Sequence, residues 1–383
     1  EEINTFNPDM LFVESAWQGK DNLWYRKIAN ISKEYFAVTS YCQDNGIPVV
    51  FWNKEDPVWT DTFIPAAKCA DIVFTTDIDC IPKYKEYLNN NKVYLLHFAA
   101  QPKVHNPIEK YERKDKFCFA GAYYHRYPKR AKVFDEFSKI FIDLKGFDIY
   151  DRNYQNSRPE HAFPEIYNPY ILGRLEPEEI DVAYKGYYYG INMNSVDQSQ
   201  TMFARRVFEM LASNTVTVGN FSRGVKNFFG DLTISTNDDK TLKESLKRYC
   251  DDEMIYRKYR LLGLRRVLTE HLYEDRLSYI VEKVFGIRLK QPMPQVSLIM
   301  QTGENVEKGI RMFSSFNYAN KTLYIIGERI DGVDNENIKF LTSEEAEKIN
   351  VSKIADKGFV GNLCATNYYG ENYLLDLCLT KRY

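Results

Sequence analysis

At 383 residues the chain is too long for one ordinary domain, and its 44% hydrophobic and 15% aromatic content, with 29 tyrosines, excludes a disordered polymer. A formal net charge of -2 argues against duplex nucleic acid as the main partner, because neutralising phosphates takes a surplus of Lys and Arg. Seven cysteines, odd in number and without CxxC spacing, fit neither a disulfide framework nor a zinc site and read as reduced thiols of a cytoplasmic protein. No apolar run approaches the roughly 20 residues that cross a bilayer, and no signal-peptide pattern opens the chain. The first residue is Glu1 rather than Met, which leaves room for upstream sequence.

From the N-terminus, MLFVES (10–15), IPVVFWN (47–53), ADIVFTTD (70–77) and KVYLLHFAA (92–100) are short, nearly continuous apolar runs. Such runs mark parallel strands covered on both faces. Between the first two, LWYRKIANISKEYFAVTSYCQDNG predicts a helix that stops at Gly46. Residues 1–110 therefore read as a Rossmann-like, doubly wound α/β unit.

A polar crossover, QPKVHNPIEKYERKDK, precedes a second round of strands: FCFAGAYY (117–124), FDIYD (147–151), YYYGINMN (187–194) and TVTVGN (215–220). This second Rossmann-like unit, 111–290, closes with the amphipathic HLYEDRLSYIVEKVFG. Two such units predict a cleft between their strand C-termini, where α/β proteins bind ligands. Beyond the KQPMPQ linker, VSLIMQT (296–302) and TLYIIGE (322–328) predict strands of a small α/β segment, 295–383.

Chemistry concentrates in FARRVFEMLASNTVTVGN, where a helix is predicted from Phe203 to about Ser213, turning at Asn214. Arg205 and Arg206 stand at its start, where free N–H groups and partial positive charge favour an anion. The planar fork of arginine also matches phosphate oxygens. Glu209, one turn further on, suits ribose hydroxyls, so a ribose carrying a diphosphate fits the set. The same i,i+4 spacing of Arg205 and Glu209 equally describes a plain surface pair.

In the first unit, FWNKEDP (51–57) runs a buried strand into Lys54, Glu55, Asp56 and Pro57. A carboxylate at such a strand end faces the cleft, where desolvation raises its pKa, so Asp56 and then Glu55 are candidates for the general base. Alternatively Asp56 and Pro57 form a turn or cap a helix. Glu14 ends another strand beside Trp17 and Gly19, which offer a platform and an opening for a sugar or simply a capping loop. His97, in LLHFAA, reads as a packed core histidine rather than a base.

The segment ARRVFEMLASNTVTVGNFSRGVKNFF resembles the nucleotide-sugar-binding part of GT-B glycosyltransferases, specifically the bacterial or phage group similar to the spore maturation protein CgeB. The resemblance continues through PDMLFVESAWQG, IPVVFWNKEDP, DIVFTTD, FAGAYYHRYPKR, INMNSVDQSQTMFARRVFE and LTEHLYEDRLSYI, in order, over residues 8–285. It implies two Rossmann-like domains facing a cleft, with no permanently bound cofactor, no required metal, and a nucleoside-diphosphate sugar, UDP foremost, as co-substrate. The diphosphate is then expected near AGAYYHRYPKR, with Gly121 allowing close backbone approach and Arg126 or Arg130 balancing charge. A solvated helix start accounts for the two arginines equally well. The base is expected against Gly173, Arg174 and Leu175. Asn192, Asn194 and Ser199 are expected to meet sugar hydroxyls or phosphate, or else to form self-bonding polar turns.

One departure matters: Thr201 stands where many retaining relatives carry a Glu eight positions before Glu209, which leaves the sugar-ring contact and stereochemistry open. The Asp-x-Asp of TTDIDC (75–80) lies on a first-unit strand, where a metal role is rejected. The tail resembles a family-2 GT-A glycosyltransferase, but Ala365, Thr366 and Asn367 replace its metal-binding aspartates, so the module reads as truncated or inactive. The expected activity is a metal-independent, hexosyltransferase-type transfer to a hydroxyl acceptor such as a glycan, cell-surface polymer or protein. A catalytically silent nucleotide-sugar-binding scaffold is the alternative; a hydrolase or epimerase on the same double fold is a third.

Overall fold

The computed structural model describes residues 2–156, 158–289, 293–303, 305–330, 332–333, 335–348 and 358–383. Helix α1 (Glu2–Phe6) leads into β1 (Leu11–Glu14), α2 (Lys33–Asp44), β2 (Val49–Asn53), α3 (Thr60–Ala67), β3 (Ile72–Thr75), α4 (Ile81–Leu88) and β4 (Val93–Leu95). The predicted 23–46 helix begins only at Lys33, because Ser32 caps it by accepting the Tyr35 N–H at 3.2 Å and Ile31 turns the chain at φ 47°. Gly46 sits at φ +69°, the left-handed stop that its position implies.

These four strands are parallel and lie in the order β1-β2-β3-β4. The order never reverses, so this lobe is not doubly wound by its own connections. Right-handed crossovers stepping one way place α2, α3 and α4 on one face. There Tyr35, Phe63, Ile64 and Tyr84 bury Phe51 and Val73. The opposite face is closed by a helix from far along the chain, Tyr273–Phe285, whose Ile280 packs with Val50, Trp52, Ile72, Phe74 and Leu96. Its sequence position groups that helix with the second lobe; burial of the bare first sheet assigns it to the first.

The second lobe contains β5 (Lys114–Gly121), α5 (Pro128–Leu144), β6 (Phe147–Asp151), β7 (Ile171–Gly173), α6 (Asp181–Lys185), β8 (Tyr187–Asn192), α7 (Arg206–Ala212), β9 (Val216–Gly219), α8 (Arg223–Phe229), β10 (Ile234–Ser235), α9 (Asp239–Cys250) and α10 (Glu253–Glu270), before α11 (Tyr273–Phe285) returns to the first lobe. Its parallel strands run β10-β9-β8-β5-β6-β7, with the order reversing between β8 and β5. Edge strands β7 and β10, three and two residues long, are too short to show a periodicity. Rings fill the core: Phe117 stacks on Phe141 and on Tyr189, each at 4.6 Å. Tyr35, Tyr84, Tyr167, Tyr187 and Tyr189 are fully buried, so these tyrosines are core material rather than a groove lining.

Both lobes, each built on a parallel α/β sheet, belong to one compact unit, Glu1–Arg288; Leu289–Tyr383 form a second unit. That unit holds β11 (Gln295–Gln301), α12 (Val306–Ser315), β12 (Lys321–Ile326), β13 (Ile338–Leu341), α13 (Ser343–Lys348) and β14 (Gly358–Asn362), then a last helix, Tyr373–Leu379. Its parallel strands lie β13-β12-β11-β14 over Leu298, Phe313, Leu323, Ile325 and Leu374. Linker residues 290–292 lie outside the described residues. Among the described residues no helix is long and apolar enough to cross a membrane.

Candidate functional site

Reversal of strand order between β5 and β8 sets their C-terminal ends side by side and leaves the following loops to part. A crevice of about 240 Å³ opens there, lined on the second-lobe side by Tyr124, Arg126, Tyr127, Arg130, Arg152, Asn194 and Arg206. From the first lobe, the loop after β2 brings Lys54, Glu55, Val58 and Trp59.

Positive charge dominates this crevice. Arg130, near the start of α5, is buried and, among the described residues, donates only to backbone: Nε to Met193 O at 3.3 Å and Nη2 to Ala122 O at 3.4 Å. Burial and the neighbouring Arg206 guanidinium lower its pKa to about 10. Arg206 donates Nη1 to Ala120 O at 2.8 Å and lies 5.8 Å over the Phe119 ring. Arg126 lies over Tyr127 at 4.9 Å and over Tyr124 at 5.4 Å. None of Arg126, Arg130, Arg152 and Arg206 forms an ion pair with a carboxylate of the described residues. Lys54 does have one, Glu14 Oε2 at 2.5 Å.

Gly121 serves this packing. A Cβ there would meet Phe119 Cζ at 2.7 Å, which forces the ring to shift, and would crowd Arg206 Nη1 at 3.2 Å, so glycine leaves room for both at the end of β5. Helix α7 begins at Arg206, three residues later than predicted, and Asn214 makes the turn after it at φ 57°. Arg205 faces outward and pairs with Glu209 at 3.2 Å, the plain i,i+4 geometry. Glu209 is buried away from the crevice lining. Its Oε2 accepts Tyr184 Oη at 3.0 Å and its Oε1 lies 4.0 Å from His105 Nε2.

The acidic candidates separate. Asp56 is fully buried beneath β2 and β3, its Oδ1 accepting from Asn53 (2.8 Å), Thr60 (2.7 Å) and Tyr84 (3.3 Å), its Oδ2 from Thr75 (2.6 Å). Desolvation lifts its pKa to about 6 against the hydrogen bonds from Thr75, Thr60 and Tyr84, which lower it. With both oxygens engaged, Asp56 is a structural carboxylate in this geometry; Glu55, one residue earlier and half-buried, is the acid that lines the crevice. Glu14 stays at the end of β1, tied to Lys54.

The polar loop after β8 organises itself. The Asn194 N–H donates to Asn220 Oδ1 at 2.7 Å, while Asn194 Oδ1 accepts the Ala204 N–H at 3.1 Å. Ser199 Oγ accepts from Met202 N at 2.9 Å. Asn192 is buried, and its Oδ1 has no hydrogen-bond partner among the described residues. Thr201 is used between lobes: its hydroxyl donates to Thr76 O and accepts from Ile78 N, both at 3.0 Å. Gly173 (φ +127°), exposed Arg174, which pairs with Glu176, and Leu175, packed beside Cys118 and Tyr184, lie apart from the crevice.

In the Asp-x-Asp, Asp77 caps a turn by accepting Asp79 N at 2.8 Å, and Asp79 accepts Gln200 Nε2 at 2.8 Å. Among the described residues no cluster of three or more His, Cys, Asp or Glu is placed to hold a metal. His97 packs edge-on against Phe228 at 4.3 Å, and burial lowers its pKa to about 3. Sequence reasoning missed Arg152 and Trp59 as lining residues. Arg152 directly follows a predicted strand, the position from which α/β loops supply ligand contacts, so the signal was present.

Residues 113–282 match the family model described as Glycosyl transferase-like. This glycosyltransferase-like domain carries the second sheet and all four arginines of the crevice; Lys54, Glu55 and Trp59 lie outside it. By sequence, no curated protein matches the chain. Solved structures to which it is similar include a TarM mutant of S. aureus in complex with fondaparinux, alpha-GlcNAc-glycerol and UDP, at 9% identity and TM-score 0.43, covering 61% of this chain and 50% of that one. Sucrose-phosphate synthase from Thermosynechococcus elongatus is similar at 12% identity and TM-score 0.47, over 70% of this chain and 80% of that one. A UDP-N-acetylglucosamine 2-epimerase is similar at 13% identity and TM-score 0.42, over 76% of each. The chain thus spans half the length of the TarM structure.

Proposed function

We propose that the protein is a CgeB-like glycosyltransferase, transferring a hexose from a nucleoside-diphosphate sugar, with UDP as the carrier, to the hydroxyl of a glycan, polymer or protein. One observation carries the reading: four guanidiniums line one wall of a crevice at the strand-order reversal, and none has a carboxylate partner among the described residues. Like charges gathered in a partly desolvated site repel, and a diphosphate relieves that repulsion. As the acceptor oxygen bonds to the anomeric carbon, the bond from that carbon to the β-phosphate oxygen breaks. The electron pair departs with the diphosphate, where Arg130 and Arg206 stabilise it in the part otherwise served by a metal ion. The hydroxyl proton passes to Glu55, the crevice carboxylate.

Glu209 is proposed to reach ribose after exchanging its Arg205 pair, with Asn192, Asn194 and Ser199 shaping the sugar pocket and Gly173 to Leu175 the base pocket. The odd, unpaired cysteines support a reducing, cytoplasmic setting. The second unit is proposed to be a partial GT-A-like module without its own metal site.

The test is thermal melting across nucleoside diphosphates and their sugars, since a bound ligand raises apparent stability. UDP or a relative should raise the melting temperature, and Arg206→Ala should shrink that rise with little change in the unliganded midpoint. No rise with any diphosphate would refute the reading. Thr201, engaged between the lobes at the position where many retaining GT-B enzymes carry a Glu, favours the silent-binder alternative; that reading predicts UDP binding with no UDP released from any donor.

A further inference from the structure

The two walls of the crevice differ in kind, and the first-lobe wall points to the class of acceptor. Trp59 is 39% exposed and lines the crevice. It is a steadied ring: Trp17 meets it at 5.3 Å and 80°, and Trp17 rests in turn on Phe63 at 5.1 Å. Across the crevice the rings of Tyr124 and Tyr127 are already engaged by the guanidiniums of Arg126 and Arg130. Among the described residues no cation lies over Trp59. The backbone N–H of Trp59 donates to Glu55 O at 3.1 Å, which closes a single turn of chain and keeps the indole-bearing residue beside the crevice carboxylate.

We infer that Trp59 is the platform on which a neutral sugar ring of the acceptor stacks, which makes the acceptor a carbohydrate; the inference rests on the glycosyltransferase reading of this same crevice. A pyranose has an apolar C–H face and an equator of hydroxyls. An exposed indole takes the face, and Glu55 and Lys54 beside it take the hydroxyls. A lipid chain would require a continuous apolar lining, whereas the neighbours of Trp59 on this wall include Lys54 and Glu55. Stacking on Trp59 sets one acceptor hydroxyl toward Glu55 and, beyond it, toward the cationic wall where the donor diphosphate sits.

The experiment is calorimetric titration of the full chain, saturated with UDP, using maltotriose, chitotriose and a serine-containing peptide of similar size. Trp59→Leu keeps apolar bulk without an aromatic face, and Trp59→Phe restores a face. At least one trisaccharide should bind the parent chain, at least tenfold more weakly to Trp59→Leu, and within about threefold of the parent to Trp59→Phe. Equal trisaccharide binding by the parent and Trp59→Leu overturns the inference. So does binding of the peptide alone, or binding of none of the three while UDP still raises the melting temperature. Failure of UDP to raise it strikes the glycosyltransferase reading instead.

Discussion

The Thr201 hydroxyl bridges the two lobes of the first unit, donating to Thr76 O and accepting from Ile78 N at 3.0 Å each. These bonds tie the loop before α7 to the end of β3. Gln200 Nε2, bonded to Asp79 Oδ1 at 2.8 Å, adds a second tie from the adjacent residue. Thr201→Val keeps the shape and removes both hydroxyl bonds. It should cost about 1–2 kcal/mol of stability, measured by denaturant unfolding. A cost indistinguishable from zero would show that the bridge does not hold the lobes.

Glycine at 121 is required by what lies against it. Gly121→Ala must displace the buried Phe119 ring and also presses on the Arg206 guanidinium, which must give by a few tenths of an ångström. Overpacking of this kind costs about 1–3 kcal/mol. Moving Arg206 should also reduce the UDP-induced rise in melting temperature, so both quantities should fall in the same variant.

Asp56 and Glu55 are expected to part company under mutation. Glu55→Gln should lower transfer by about 10²–10⁴-fold with UDP binding retained, the range for loss of a general base. Asp56→Asn keeps a side chain of the same shape in the buried network and should retain transfer. Quantifying UDP release for the two variants separates a crevice base from a buried structural acid.

Stability should follow pH through Asp56. Its folded pKa of about 6 lies above the ordinary 3.8, chiefly because burial disfavours the charged form. The folded chain therefore holds this proton more tightly than the unfolded one. The stabilisation is complete below about pH 4 and is lost as pH rises through about 6, an effect of about 3 kcal/mol. Asp56→Asn should flatten the stability curve across this window and melt at or above the parent temperature at pH 7. Melting curves from pH 4 to 7 provide the check.

Helix α11 should matter to the first sheet although the whole second lobe separates them in sequence. Ile280→Ala, which empties a site against Val50, Ile72 and Leu96, should cost about 2–5 kcal/mol. An exposed control on the same helix, Leu277→Ala, should change stability by less than about 0.5 kcal/mol.

By itself the sequence determined what is local. The runs at 47–53 and 70–77 are largely apolar because both faces of their strands are covered, and strands appear there. Arg206 at the start of α7 and Arg130 near the start of α5 line the crevice from strand-to-helix turns, whereas Arg205, its neighbour in sequence, pairs with Glu209 outside it. Strand order, the return of α11 and the placing of Trp59 and Arg126 on one crevice were decided by tertiary structure alone. Each depends on which distant apolar faces bury one another, a choice that no short window of sequence contains. Even between neighbours the fold had the last word: one step along the backbone turns Asp56 under the sheet into Asn53, Thr60 and Thr75, and leaves Glu55 on the crevice.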